Sequence, residues 1–195
     1  MTTTIVEPVA AAFRLPPLVT AEEFSTWTGG KIAADDPRVA PLLAGASAGV
    51  RRFCGWHIAP VLEETLVGDG PGGRLLLLET GRLLSVVSVD NGGEPVDAGA
   101  VDVSKSGMLE LRAGRWSSRF GAVSVRVRHG WDLADVEDVK QIIKQVTANA
   151  LASPMGATRE QAGTISISWA TTAPGVSGGL SLLERDLAVL ATYKL

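Results

Sequence analysis

Few residues of this 195-residue chain have types and spacings that could support catalysis. Ser47 lies in residues 45–49 (Gly-Ala-Ser-Ala-Gly), which match the G-x-S-x-G pattern of a nucleophile elbow. That motif requires a strained turn between a strand and a helix, with a histidine base and an acid close by. Here the pattern lies inside a stretch of helical periodicity, with no strand before it. The sequence therefore favours a packing role for Ser47, and serine hydrolysis is kept as an alternative.

The chain contains two histidines, His57 and His129, and each is isolated in the sequence. Neither has a partner at the spacing of a metal-binding motif, and Cys54 is the single cysteine. Asp35 and Asp36 are better explained as the start of a helix than as a catalytic carboxylate pair. We therefore predict no metal, no cofactor and no acid–base catalysis.

Two glycine-containing segments are similar to phosphate-binding loops without matching them. Residues 68–73 (Gly-Asp-Gly-Pro-Gly-Gly) lack the Gly-Lys-Ser/Thr ending that places a lysine on phosphates. Residues 28–31 (Thr-Gly-Gly-Lys) are followed by Ile32 and fail the same test. Glycine, proline and aspartate are typical turn residues. We predict a turn at both places.

A group of five arginines could contact nucleic acid. They lie between Glu110 and Asp132 with no acidic residue among them, and with Trp116 and Phe120 interleaved: Arg112, Arg115, Arg119, Arg126 and Arg128. Such a group can neutralise phosphates and stack on bases. However, 18 basic residues against 21 acidic ones give the chain a net charge of −3. The favoured interpretation is a solvated hairpin whose arginines pair with acidic groups of a neighbour, and DNA contact is the alternative.

The composition predicts a folded chain with surplus apolar surface. Apolar residues make up 46% of the chain and charged residues 20%, which excludes general disorder. The first residues lack the basic and apolar regions of a secretory signal. The longest uncharged run, residues 161–183, contains Pro174 and several glycines and does not predict a membrane helix. A mean hydropathy of +0.21 without a membrane segment predicts apolar surface that is covered in an assembly.

Three segments carry the signals of helices. Residues 20–23 (Thr-Ala-Glu-Glu) form a capping box, which predicts a short helix ending at Gly29. Asp36 and Pro37 predict the start of a second helix, whose apolar residues recur every three or four positions: Val39, Leu42, Leu43, Ala46, Val50 and Phe53. Asp132 predicts the start of a third, with its own apolar stripe: Val136, Val139, Ile142, Ile143, Val146 and Ala150. We expect the second and third helices to pack on each other.

The residues between the second and third helices predict β structure. Short β-type runs separated by glycine-rich turns occur at residues 61–67, 74–78, 82–90, 101–103, 108–112 and 122–128. In the last run, valines alternate with serine and arginine, which predicts one buried and one solvated face. The predicted fold class is α+β, a small helical bundle with an inserted antiparallel β-hairpin or sheet region and extended N- and C-terminal arms.

The sequence of the C-terminal part predicts an arm that ends in a helix. Residues 173–179 have the composition of a flexible tether, and Leu183, Leu187 and Leu190 then fall on one helical face. A helix this short is marginal in water on its own. We predict that residues 180–195 are poorly ordered alone and dock on a partner; the alternative is that they fold back onto the chain's own bundle. The predicted organisation is an arm (1–19), a bundle with the β insertion at about 60–130 (20–155), and a C-terminal arm (156–195).

The order of several motifs is similar to that of a known family. They are residues 125–131 (Val-Arg-Val-Arg-His-Gly-Trp) before an acid-capped helix, 159–169 (Arg-Glu-Gln-Ala-Gly-Thr-Ile-Ser-Ile-Ser-Trp), 183–187 (Leu-Glu-Arg-Asp-Leu) and 190–195 (Leu-Ala-Thr-Tyr-Lys-Leu). Residues 106–112 also resemble the hairpin of that family. In this order the chain resembles the head-to-tail adaptor (connector) proteins of tailed bacteriophages, particularly those of actinobacterial phages.

The resemblance implies a structural virion protein and not an enzyme. It implies a homo-oligomeric ring, commonly of twelve subunits, beneath the portal at the head–tail interface, with assembly in the host cytoplasm. The ring would form part of the channel for double-stranded DNA, without sequence specificity, and would bind the next tail-side connector protein. The C-terminal segment would reach the portal, with these interface residues: Trp169, Leu183, Leu187, Leu190, Tyr193 and Leu195. Another ring-forming virion part, such as a tail-completion or head-stabilising protein, stays open as an alternative.

Overall fold

The computed structural model of the chain describes residues 15–152, 159–162, 165–168 and 180–195. The α-helices in these ranges are α1 (Ala21–Trp27), α2 (Val39–Cys54), α3 (Glu137–Ala152) and α4 (Glu184–Leu190). The strands are β1 (Leu62–Gly68), β2 (Leu75–Leu77), β3 (Leu83–Asn91), β4 (Pro95–Val96), β5 (Val101–Val103), β6 (Met108–Leu111), β7 (Val123–His129), β8 (Arg159–Ala162) and β9 (Ile165–Ser168). The predicted α+β class, with β structure inserted between the second and third helices, is confirmed.

The start of α1 is the predicted capping box. Thr20 Oγ1 accepts a hydrogen bond from the backbone N–H of Glu23 at 3.1 Å, and a carboxylate oxygen of Glu23 accepts one from the N–H of Thr20 at 2.9 Å. These two bonds satisfy backbone donors that the first helical turn leaves free. Beyond α1, Gly29 and Gly30 have positive φ angles and end the helical segment, as predicted.

The second helix begins later than the Asp36–Pro37 pair predicts. The Asp36 carboxylate accepts hydrogen bonds from the backbone N–H and the guanidinium of Arg38, and α2 starts at Val39. Asp36 therefore stabilises the turn before the helix, and the prediction of Pro37 as the first helical residue is wrong. The end of α2 is as predicted, because Gly55 adopts a φ of 84° as its C-cap.

Asp132 also precedes its helix by more than the sequence predicts. A 3₁₀ turn, Leu133–Val136, comes between Asp132 and α3, and Asp132 makes no side-chain cap hydrogen bond.

The expected packing of the two long helices is confirmed. The helical core consists of their facing apolar stripes together with residues from α1 and the segment before it: Leu18, Val19, Phe24, Val39, Leu43, Val50, Val139, Ile143 and Val146.

The β region contains two antiparallel sheets. Sheet A has the strand order β1-β7-β3-β4, and sheet B has the order β2-β6-β5. Their inward side chains form a second core cluster, to which sheet A contributes Val123, Val125 and Val127, and sheet B contributes Leu76 and Leu109. The six predicted β runs are confirmed, whereas the two-residue strand β4 was not predicted. Beyond these sheets, β8 and β9 form an antiparallel pair.

The described helices are too short or too polar to cross a lipid bilayer.

Candidate functional site

Ser47 has a structural role in α2. Its hydroxyl donates a hydrogen bond to the carbonyl of Leu43 at 2.7 Å and accepts one from the backbone N–H of Leu18 at 3.0 Å, and the side chain is buried. The bond from Leu18 links the segment before α1 to α2, and Leu18 and Val19, which the sequence assigns to an N-terminal arm, belong to the core. The geometry therefore agrees with the packing interpretation of Ser47.

The glycine-rich residues 68–73 form the predicted turn and are tied to a second loop. The backbone N–H of Gly70 donates to the carbonyl of Arg119 at 2.9 Å, and that of Gly72 donates to the carbonyl of Ser117 at 2.9 Å. A Cβ atom at Gly70 would lie 2.1 Å from the Ser117 carbonyl oxygen. Glycine is needed there because the two backbones touch.

The five arginines have different partners within the chain. Arg112 pairs with Asp102 at 2.8 Å, and Arg126 pairs with Glu63 at 2.6 Å. Arg115 and Arg119 donate to the carbonyls of turn glycines: Gly72 at 3.4 Å and Gly92 at 2.9 Å. Arg128 is exposed on the same strand as Arg126. Two of the arginines thus have acidic partners within the chain, and two more hydrogen-bond to carbonyls in turns. A joint role of the five in DNA binding stays a prediction.

The C-terminal segment, residues 180–195, lies against the helical core. Leu190 is fully buried, and its carbonyl is 3.5 Å from the Cys54 sulfur. The hydroxyl of Tyr193 donates to the Asp138 carboxylate on α3 at 2.9 Å. The segment therefore folds back onto its own bundle in this structure, which corresponds to the alternative of the sequence analysis and not to an unpacked arm.

Because of this packing, the residues that are predicted to contact the portal differ in their exposure to solvent. Leu190 is unavailable to a partner in this conformation, Leu183, Leu187 and Tyr193 are half-buried, and Leu195 is exposed. Trp169 and the predicted tether lie outside the described residues. The interface role of all these residues stays a prediction, and within the chain Leu190 has a core role that the sequence analysis held only as an alternative.

Large apolar side chains that the cores leave uncovered are concentrated in the β region. Leu77 on β2 is 72% exposed and lies opposite Met108 on β6, with Leu75 on the same face. We call Leu75, Leu77 and Met108 the outer patch of sheet B. Phe120, in the loop before β7, is 90% exposed. An exposed apolar surface of this kind is typical of a protein that is covered by a partner.

Two histidines that are distant in the sequence meet at the junction of the helical core and sheet A. His57 lies in the loop between α2 and β1, His129 is the last residue of β7, and their ring centroids are 4.3 Å apart. The ring of Trp56 lies 5.3 Å from that of His57. Strand β1 pairs with β7, and Glu64 of β1 lies on the same face of the sheet as His129. The Glu64 carboxylate accepts a hydrogen bond from His129 Nε2 at 2.8 Å.

The hydrogen bonds fix which ring nitrogen carries the proton. A carbonyl or carboxylate oxygen can only accept, so in the neutral rings His57 Nε2 donates to the Pro60 carbonyl at 3.0 Å and His129 Nε2 donates to Glu64. In the neutral ring of His129, Nδ1 therefore holds a lone pair. Among the described residues, His129 Nδ1 has no hydrogen-bond partner. Leaving a buried polar atom unpaired costs about 1–3 kcal/mol.

The surroundings keep both imidazoles neutral. Burial lowers the pKa of His57 to about 4, and the neighbouring His129 and the cation of Arg51 act in the same direction. Burial also lowers the pKa of His129, while Glu64 acts in the opposite direction. The Arg51 guanidinium donates to the carbonyls of His57 and Ala59, and burial lowers its pKa to about 10.

The sequence analysis missed this cluster because the loop and the strand register create it. One signal was available: the alternation that buries Val123, Val125 and Val127 also places His129 on the buried face. Nothing in the local sequence indicates that the loop after α2 brings His57 to the same point.

The fold and these surfaces define a structural module with two cores and uncovered apolar surface in its β region. Residues 17–148 match the family model described as head completion protein (HCP), which covers more than half of the chain. The chain therefore belongs to the head completion protein family, and its resemblance to head-to-tail connector proteins is confirmed. It is a structural protein of the head–tail joint of a phage virion.

A solved structure shares the fold. A chain from the neck of an empty GTA particle, computed with C6 symmetry, has 15% sequence identity to this chain and a TM-score of 0.51, and the match covers 81% of this chain and 86% of the other. At this identity the likeness concerns the fold alone. No curated protein sequence matches the chain.

Proposed function

We propose that copies of this chain form a ring at the head–tail joint beneath the portal, line part of the channel for double-stranded DNA, and provide a platform for the next tail-side protein. Twelve subunits is the expected number. The C6 symmetry of the neck structure with the same fold is compatible with a ring of twelve, because twelve is a multiple of six. Such a ring does not require an enzymatic site in the chain.

The outer patch of sheet B is the observation that carries this proposal. The chain already fills a helical core and a β core, so Leu75, Leu77 and Met108 are not needed to complete either one. Glu110 and Asp102 border these residues on the same face, and Arg74 and Arg112 pair with them. An apolar centre with a charged rim is the usual anatomy of a protein–protein interface.

The C-terminal segment is the proposed contact with the portal. Its packing leaves Leu180, Val189 and Leu195 exposed while Leu190 anchors the segment on the bundle. The segment can therefore present these side chains, together with its half-buried residues, without unfolding. The predicted contact of Trp169 belongs to the same proposal.

The experiment combines the untagged chain with its own portal protein and measures assembly by native mass spectrometry and negative-stain microscopy. Leu77→Asp should abolish ring formation but leave the monomer folded, since the side chain is already exposed. Val87→Asp is the matched control, because Val87 is an exposed valine of β3 in sheet A. Rings formed equally well by Leu77→Asp, or no complex of the wild-type chain with the portal, would contradict the proposal.

The family description also favours a second candidate, a head-stabilising or tail-completion part that forms a ring in contact with a different virion protein. The assembly experiment described above also distinguishes this second candidate from a ring beneath the portal. Association with a tail-side protein in the absence of the portal, together with no association with the portal itself, would favour the second candidate.

A further inference from the structure

We propose that the hairpin of strands β8 and β9 of one copy adds a strand to the outer edge of β1 in a neighbouring copy. Strand β1 lies at one end of sheet A and pairs with β7, and within the described residues no strand pairs with its other side. The inference rests on the proposed ring, because the ring supplies the neighbouring copy. It gives the ring a second contact between subunits, besides the outer patch of sheet B.

The strand register identifies the backbone groups of β1 that bond to β7. The N–H of Gly92 donates to the carbonyl of Ala122 at 2.7 Å, which continues the ladder between β3 and β7. In an antiparallel pair only alternate residues exchange backbone hydrogen bonds, so the even-numbered residues of β7 bond to β3 and the odd-numbered residues bond to β1. Their partners on β1 are Glu64, Leu66 and Gly68.

The residues between these partners form the outer edge. Glu63, Thr65 and Val67 therefore direct their N–H and C=O groups away from β7, and among the described residues these groups have no hydrogen-bond partner. All three side chains are exposed, Val67 to 65%. A row of unpaired backbone groups is a template on which a further strand can pair.

A cavity lies beside this edge, between the edge strands of the two sheets. It has a volume of about 280 Å³, and its lining comes from β1, β2 and their flanking residues. Leu66, Leu76, Leu78 and Val123 line it and also belong to the β core or pack against it. The core is therefore open on this side. A strand added to β1 would extend sheet A across the opening, and its inward side chains would fill the cavity.

The hairpin has the sequence of a strand that fits this edge. Strand β9 is Ile-Ser-Ile-Ser, residues 165–168, and within the described part of the chain it pairs with β8 alone. A two-stranded hairpin is marginally stable in water, and a third strand stabilises it. Side chains alternate between the two faces of a strand. Added to β1, β9 would turn both isoleucines toward the cavity and both serines toward solvent.

The lengths of the connections permit the hairpin to reach another copy. Residues 153–158 join α3 to β8, and residues 169–179 join β9 to the C-terminal segment. An extended chain spans at most about 3.6 Å per residue, so β8 can begin up to about 25 Å from the end of α3. That distance approaches the diameter of a small domain, about 30 Å. A contact between two different surfaces of one chain joins copies head to tail, as a closed ring requires.

The test places one cysteine on each strand of the same full-length chain. In Thr65→Cys/Ser166→Cys the first thiol lies on the outer face of sheet A, because Thr65 pairs with the exposed Arg126. The serines of a neighbour's β9 should lie on that same face, within the short Cα distance that a disulfide requires. Thr65→Cys/Ser168→Cys, and Val67→Cys with either serine variant, cover the other registers.

Rings assembled with the portal protein and mildly oxidised should give a ladder of disulfide-linked dimers, trimers and larger oligomers on a denaturing gel for at least one serine variant. Thr65→Cys/Ile167→Cys is the matched control, because Ile167 would lie on the opposite face. Ser124→Cys/Ser166→Cys is a second control, because Ser124 lies on β7, which pairs with strands on both sides. Both controls should stay monomeric on the gel. The native Cys54 is buried and should form no link.

Rings that are visible by negative-stain microscopy but give no ladder in any serine variant would overturn the strand addition and leave the proposed ring standing. Monomers with an internal disulfide and no oligomers would also overturn it, since the hairpin would then pair with the edge of its own chain. Equal ladders from the isoleucine and serine variants would show that the hairpin does not bind as a strand. Absence of rings would contradict the proposed function and this inference with it.

Discussion

The indole Nε1 of Trp56 donates a hydrogen bond to the backbone carbonyl of Tyr193 across 2.7 Å. This bond joins the loop after α2 to the last residues of the chain. Nearby, the backbone N–H of Leu195 donates to the carbonyl of Cys54 at 3.0 Å. The C-terminal segment is thus held by backbone and side-chain bonds as well as by the burial of Leu190, and we expect it to contribute to the stability of the isolated chain.

Replacing Leu190 by alanine should destabilise the protein. The side chain is fully buried against the helical core, and truncating such a leucine costs about 2–5 kcal/mol. Chemical denaturation of the two purified proteins measures the difference. Val189→Ala, at the preceding exposed position, should change the free energy of unfolding by less than about 0.5 kcal/mol. Equal effects of the two substitutions would show that the segment is not packed in solution.

The contact between α2 and α3 gives a second stability prediction. Ile143 is fully buried between the helices, so Ile143→Ala should lower the free energy of unfolding by about 2–5 kcal/mol. Gln141→Ala, on the exposed side of α3, is the control and should be nearly neutral. A loss below about 0.5 kcal/mol for Ile143→Ala would place the apolar stripe of α3 outside the core.

The regular elements could be predicted because their signals are local. The capping box at Thr20, the apolar spacing that includes Val39 and Leu43, and the alternation in β7 each lie within one turn or strand. They depend on backbone geometry that a few residues determine. The exact starts of α2 and α3 could not be predicted, because Asp36 and Asp132 sit in turns whose geometry depends on the following residues.

The candidate sites were harder to predict, because they depend on contacts between distant segments. Whether Leu190 faces a partner or its own bundle cannot be decided from an apolar stripe, which fits either surface equally well. The pairing of His57 with His129 depends on the path of a loop, and the outer patch around Leu77 depends on which face of β2 the second sheet covers. The family could be recognised from the order of motifs along the chain, because that order does not depend on contacts between distant segments.

The contact between two loops of the β region predicts a strong effect of one methyl group. Gly70→Ala would place a Cβ atom 2.1 Å from the Ser117 carbonyl oxygen, and overpacking of this kind typically costs about 1–3 kcal/mol. Gly73→Ala, in the same turn, meets no atom within 4 Å and should be neutral or slightly stabilising. Thermal unfolding of the two variants tests this. Equal midpoints would show that the loops are not in contact.

The thiol of Cys54 reports on the position of the C-terminal segment. Burial raises its pKa to about 11, partly offset by the Lys194 cation, so at pH 8 only about one thiol in a thousand is ionised. Since the thiolate is the reactive form and the side chain is fully buried, labelling by a disulfide reagent should be slow in the native protein. Denatured protein gives the reference rate. Deletion of residues 180–195 should accelerate labelling strongly, because Leu190 then no longer covers the sulfur.

The same measurement in the presence of the portal protein decides how the segment docks. If residues 180–195 contact the portal through their exposed side chains and stay on the bundle, Cys54 should label as slowly in the complex as in the free chain. We expect this result, because leaving the bundle would uncover Leu190 and break the bonds to Trp56 and Asp138. An increase in the labelling rate on addition of the portal, with the core still folded by circular dichroism, would show instead that the segment leaves its own bundle and binds as an extended arm.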